Sequence, residues 1–142
     1  MKRDPRLVGL SREHHHALTL SVRLRKAAQD GTADALVAAA RDLVRTFYID
    51  LAPHFQVEEE LLLPALEAQG ATGRGLAARA REDHAWLRRG AALAAAGQTR
   101  HLAAYAERMA AHVRFEEREL FEHAQATLDD AVLQQIGQAR PA

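Results

Sequence analysis

Two segments, HFQVEEELL from His54 and HVRFEEREL from His112, repeat the pattern His-x-x-x-Glu-Glu-x-x-Leu. On a helix the His and the first Glu stand at i and i+4, one turn apart on the same face, so both reach one cation while the second Glu is expected to point away. Each segment therefore offers an imidazole nitrogen and a carboxylate oxygen, the latter from Glu58 and Glu116. Two more imidazoles come from His84 and from the run His14-His15-His16. In that run His14 shares a helical face with Leu10, Leu18 and Val22 and is preferred over His15, whereas His16 should face solvent. The candidate metal ligands are thus His14, His54, Glu58, His84, His112 and Glu116. Four nitrogens and two carboxylates exceed what one tetrahedral zinc needs. Their natural use is a pair of metal ions bridged by the carboxylates, each ion taking two imidazoles, with room left for a bridging oxygen species and a small exogenous ligand. Mixed nitrogen and oxygen ligation suits two iron ions best, with manganese or zinc as alternatives.

Other side chains near the motifs carry weaker signals. Asp50, one turn before His54, is a candidate to orient its imidazole through a hydrogen bond. Tyr105 and Phe47 occupy equivalent places two turns before the two His–Glu pairs and read as packing, with a redox role for the Tyr105 hydroxyl as the alternative. His101 and His123 read as surface or core-edge residues, with a fifth nitrogen donor as the alternative.

Several chemistries have no residues to support them. Cysteine is absent, which removes thiolate zinc sites, iron–sulfur clusters, disulfides and thiol nucleophiles. Lys and Arg total 19 against 19 Asp and Glu, so no basic field draws in nucleic acid or anionic lipid. The protease pattern His-Glu-x-x-His does not occur, and of the Glu-x-x-His pairs a ferritin-like site needs, Glu13 to His16 alone fits. No apolar run has the length of a signal peptide or approaches the roughly 18 residues of a membrane span. The chain reads as soluble and cytoplasmic, with no nucleic-acid or membrane partner.

The elements that must position the ligands are helices. Ala, Leu, Arg, Glu and Gln dominate, and β-branched and aromatic residues are scarce. Gly31-Thr32, Gly70 to Gly73 and Gly97 to Thr99 punctuate the chain into four long segments. The first helix starts near Ser11 as N-cap, or earlier at Asp4-Pro5. The others are predicted over 33–66, kinked or divided at Pro53, over 76–95 and over 101–126, with a short terminal helix over 129–138 capped by Thr127. Apolar stripes run through Leu43, Phe47 and Leu51, through Ala80, Leu87 and Ala91, and through Tyr105, Met109 and Leu120, and the candidate ligands interrupt each stripe. An unpartnered buried carboxylate or imidazole is costly, so something should compensate there. The expected fold is an all-α, up-down-up-down four-helix bundle with a short C-terminal helix, one domain over 1–142. In it the start of the first helix, the end of the second, the start of the third and the end of the fourth share one end, which lets the ligands meet in one layer.

At REHHHAL around His14, HFQVEEELLLPAL from His54, REDHAWL around His84 and HVRFEERELF from His112, the chain resembles the hemerythrin-like HHE cation-binding family, in family order and over most of its length. The resemblance implies a four-helix bundle with a non-haem di-iron centre whose ligands fall on the six residues named above. Position 88 is Arg where oxygen-carrying members have a second His one turn on in the third helix, and their fourth-helix carboxylate is an Asp at a different spacing. Those departures favour a reactive or sensing site with an open coordination sphere over reversible oxygen storage. The family's Pro after the Glu-Glu pair is present as Pro64 but replaced by Glu122 in the second copy. The leading expectation is a protein that binds dioxygen, nitric oxide or iron itself for sensing, storage or transfer. An oxidase, peroxidase, nitric-oxide-reducing or iron-repair enzyme is the alternative, and a metal-free helical interaction module the third.

Overall fold

A computed structural model describes residues 2–142, and they form five helices, with no strand among the described residues. They are α1 (Val8–Asp30), α2 (33–67), α3 (Ala71–Ala95), α4 (102–127) and α5 (Asp130–Ala139). None is long and apolar enough to cross a membrane. One apolar cluster joins the start of α1 (Leu7, Leu10), the end of α2 (Leu62, Leu63, Leu66), the start of α3 (Ala77, Ala80) and the end of α4 (Leu120, Phe121, Ala124). That mixture of starts and ends fixes the alternating directions of the four long helices. α5 closes this end with Leu133 and Ile136. A second cluster fills the other end with Leu20, Leu24, Leu43, Phe47, Leu87, Tyr105 and Met109. The expected bundle is therefore the observed one, and the His and Glu layer lies between two apolar halves.

Local chemistry sets most helix ends. Thr32 caps α2, its hydroxyl accepting from the Ala35 amide. At α1 neither cap reading holds: Asp4 accepts from the Arg6 amide, Pro5 lies in the turn that follows, and the helix runs from Val8 with Leu7 at the cap position. Ser11 is no cap, because its hydroxyl donates to Glu117 across the bundle. α3 begins at Ala71, not near Leu76. Gly73 permits this, since a side-chain carbon there would overlap the Leu66 carbonyl at the end of α2. Thr127 does not cap α5 either; its hydroxyl donates to the His123 carbonyl, and Asp129 takes the cap position. On α1 the buried face is Leu10, His14, Ala17, Ser21 and Leu24, while Leu18 and Val22 are exposed, so the expected companions of His14 were in part the wrong ones.

Pro53 neither divides nor ends α2. The helix passes instead through π turns at Phe47–Leu51 and Glu58–Leu62, and α4 has one at Glu116–Leu120. In each the carbonyl of the first residue accepts from the amide five residues on, at Ala52, Leu63 and Phe121. Pro53 and Pro64 each follow six residues after such a start, where a missing N–H loosens the ladder. Glu122 stands at the same offset in α4, so the π turn forms without a proline as well.

Candidate metal centre

His54, Glu58, His84, His112 and Glu116 are at most 2 % exposed and His14 is 5 % exposed. Two of the π turns begin at Glu58 and Glu116, the inward carboxylates. The six residues gather into two groups, His14, His54, Glu58 and Glu116, and Glu58, His84, His112 and Glu116, in each of which one atom per residue lies within 4.8 Å of all the others. α1 and α2 supply the imidazoles of one group, α3 and α4 those of the other, and the two carboxylates belong to both. His15 and His16 are exposed. The preference for His14 in this layer is therefore matched by its placement.

Apart from His14 Nε2, which bonds Glu116 Oε1 at 2.8 Å, the donors converge without bonding to each other. His54 Nε2, His84 Nε2, His112 Nε2, both Glu58 oxygens and Glu116 Oε2 are buried and have no hydrogen-bond partner. They are nonetheless close: His84 Nε2 is 3.1 Å from Glu58 Oε1, His112 Nε2 3.2 Å from Glu116 Oε2, and His54 Nε2 3.3 Å from Glu58 Oε2. Donors about 2.1 Å from a common ion, at tetrahedral or octahedral angles, stand roughly 3.0–3.4 Å apart. Orphaned buried polar atoms at that spacing fit a cation between them and fit little else.

Each imidazole is aimed from behind by an acid on a neighbouring helix. His14 donates from Nδ1 to Glu117 at 2.8 Å, His54 to Glu13 at 3.3 Å, His84 to Glu59 at 2.8 Å and His112 to Asp83 at 2.8 Å. A carboxylate can only accept, so these bonds place the proton on Nδ1 and turn Nε2 toward the centre. The second Glu of each motif therefore does not point away: Glu59 and Glu117 serve the histidines of α3 and α1. The acids preceding His14 and His84 in the chain, Glu13 and Asp83, return the favour to α2 and α4. The arrangement maps α1 onto α3 and α2 onto α4 under an approximate two-fold. Behind each acid stands an arginine: Arg88 at Glu59, Arg108 at Asp83, Arg3 at Glu117 and Arg140 at Glu13. Rings hold the imidazole faces, with Phe55 stacked on His84 at 3.9 Å and Phe121 parallel to His14 at 5.4 Å.

Burial acts against charge on every one of these imidazoles, but the surrounding carboxylates prevail. His84, beside Glu116, Glu58 and Glu59, is pushed up to about 11, and His112, beside Glu116 and Asp83, to about 9. His14 and His54 are raised for the same reason. Burial likewise acts to raise Glu116, yet His112, His14 and His54 hold it well below the ordinary carboxylate range. Against the same effect of burial, His84 and Arg88 hold Glu59 down to about 2. Without a cation, protons supply the positive charge that the acids demand.

The remaining candidates lie elsewhere. Asp50 does not orient His54; it stands 3.9 Å from His16 on the surface, and Glu13 makes the bond instead. The Tyr105 hydroxyl donates to the Leu87 carbonyl in the second apolar cluster, where Phe47 also packs. His101 Nε2 donates to the Gly90 carbonyl, and neither His101 nor His123 belongs to a converging group. Sequence reasoning missed the four supporting acids, although the acid–His pairs Glu13-His14 and Asp83-His84 and the doubled Glu of each motif were the visible signal.

The description "Hemerythrin HHE cation binding domain" belongs to the family model that matches residues 7–124. No curated protein and no solved structure matches the chain. The matched span contains all six converging residues and the four acids behind them.

Proposed function

The chain belongs to the hemerythrin HHE cation-binding family, and from that premise we propose that it is a non-haem di-iron protein that binds dioxygen or nitric oxide, for sensing, storage or transfer. The observation that carries this reading is the pair of donor groups sharing Glu58 and Glu116, with six buried polar atoms left unpartnered between them. His14, His54, His84 and His112 would hold the two ions, and the two shared carboxylates would bridge them. Iron bound there supplies one-electron redox chemistry and open coordination positions for a diatomic ligand.

The protein's own part is orientation and enclosure. The four acids fix the imidazole tautomers, which costs typically 10- to 100-fold in metal affinity when lost. Phe55 and Phe121, both at most 2 % exposed, wall the layer against water. Position 88 adds no further ligand, because Arg88 is turned outward onto Glu59 with two bonds of 2.7 Å. The lack of a seventh donor at position 88 supports ligand binding over a closed, purely structural site.

The test is anaerobic reconstitution with Fe(II), metal counting, and exposure to dioxygen and to nitric oxide while the absorption spectrum is followed. Two irons per chain and a ligand-dependent charge-transfer band are expected. The double variant Glu58→Ala, Glu116→Ala should take up neither iron. Stoichiometric spectral change without steady-state consumption of the gas separates binding from turnover.

A further inference from the structure

The two donor groups share their carboxylates but are not alike. Around His84 and His112, both Nε2 atoms, Glu116 Oε2 and both Glu58 oxygens are free of hydrogen bonds. Around His14 and His54 an internal bond already stands, His14 Nε2 donating to Glu116 Oε1 at 2.8 Å. A cation entering the second position must break that bond; one entering the first breaks none.

The outer supports differ in the same sense. On the α3 and α4 side, Arg88 grips Glu59 with two bonds of 2.7 Å and Arg108 Nε donates to Asp83 at 2.8 Å. On the other side no arginine bonds the acid's carboxylate: Arg140 stands 3.6 Å from Glu13, and Arg3 stands 3.5 Å from the Glu117 carboxylate and bonds the Glu117 backbone carbonyl instead at 2.7 Å, leaving the neutral Ser11 hydroxyl to support that carboxylate at 2.8 Å. The Nε atoms of Arg3 and Arg140 are buried without an acceptor. Glu13 also makes the longest of the four acid–imidazole bonds, 3.3 Å to His54. Arg88 and Arg108 are carried by α3 and α4, whereas Arg3 and Arg140 lie in the segments that precede α1 and follow α5. The latter segment is seated over Gly9, where any side-chain carbon would overlap the Arg140 carbonyl.

From these asymmetries we propose that the two positions load in order: the one between His84 and His112 fills first and retains its ion, and the one between His14 and His54 is the exchangeable position, tuned through Arg3 and Arg140 by the packing of the flanking segments. This ordering rests on the two-cation reading above. It assigns Glu13 and Glu117, with Arg3 and Arg140, as positioning residues for the second ion alone.

Anaerobic Fe(II) titration with equilibrium dialysis, and anomalous diffraction at the iron edge from crystals grown with one equivalent, test the order directly. Density is expected between His84 and His112, and release to a chelator from the fully loaded protein should be biphasic. Arg3→Gln and Arg140→Gln should weaken the second equivalent about threefold and leave the first unchanged. Arg88→Gln should weaken the first. Because the arginines also pack, Glu13→Gln, which keeps size and shape, provides the second variant and should likewise act on the second equivalent alone. Density at one equivalent that favours His14 and His54 or divides evenly, or variants that weaken both equivalents alike, overturns the ordering while leaving two irons per chain intact. Wild-type protein that takes up no second iron at saturating Fe(II) refutes the two-cation reading and the ordering with it.

Discussion

Between pH 6.5 and 9 the protons on the buried imidazoles compete directly with metal. His112 is raised to about 9 and His84 to about 11 in the metal-free molecule. A raised imidazole stabilises the fold fully below its unfolded value near 6.5, and that contribution fades as pH climbs through the folded value. Metal needs the deprotonated nitrogen, so its affinity moves the opposite way. The rise in melting temperature on adding anaerobic Fe(II) should therefore grow from pH 6.5 to pH 9; a rise that is constant or shrinks over that window contradicts the competition. Four of the six converging residues were legible because each His–Glu pair repeats a one-turn spacing inside an apolar stripe, and His14 and His84 because each shares a helical face with apolar residues; such signals are local. The acids behind them were not. Glu59 and His84, or Glu117 and His14, are 25 and 103 residues apart, and no periodicity within one helix reveals which neighbour an adjacent side chain will serve. A residue next to a ligand is rotated about 100° around the axis, which looks like solvent until the adjoining helix is in place.

The π turns at Glu58–Leu62 and Glu116–Leu120 show what sequence spacing hides at the level of the element. Apolar residues at three and four apart are compatible with a turn of either kind, so the predicted helix over 33–66 could anticipate a disturbance at Pro53 but not its form. The second copy forms the turn with Glu122 in place of proline, which makes the surrounding packing, rather than the ring, sufficient cause. Exposed Pro64 should accordingly tolerate replacement: Pro64→Glu is expected to change unfolding free energy by no more than about 1 kcal/mol and to leave iron uptake at its wild-type value. Loss of Glu58's inward placement, read as a fall in metal content, would instead make proline the determinant. Helix ends were legible wherever a cap is local, as at Thr32, whose hydroxyl accepts from Ala35; Thr32→Ala should cost about 1 kcal/mol in chemical denaturation. They were illegible where a distant partner decides, as at Ser11, taken by Glu117.

For the molecule as a whole, alternating direction and helix number followed from composition and punctuation, because short connections leave few other ways to bury four amphipathic stripes. Leu87 is 0 % exposed in the second cluster. Leu87→Ala should cost about 2–5 kcal/mol, and since it adjoins the Phe55–His84 layer the loss should be larger in the iron-loaded protein if the cavity disturbs the site. The charged stratum between the clusters around Leu43 and around Leu63 has a consequence for cooperativity. Two oily halves that meet across a polar joint act as a single body only while the joint is clamped. In scanning calorimetry the loaded protein should give one transition with a calorimetric to van't Hoff enthalpy ratio of about one. The stripped protein should melt in two steps, each half letting go on its own, so that a bound cation would be a rivet between them.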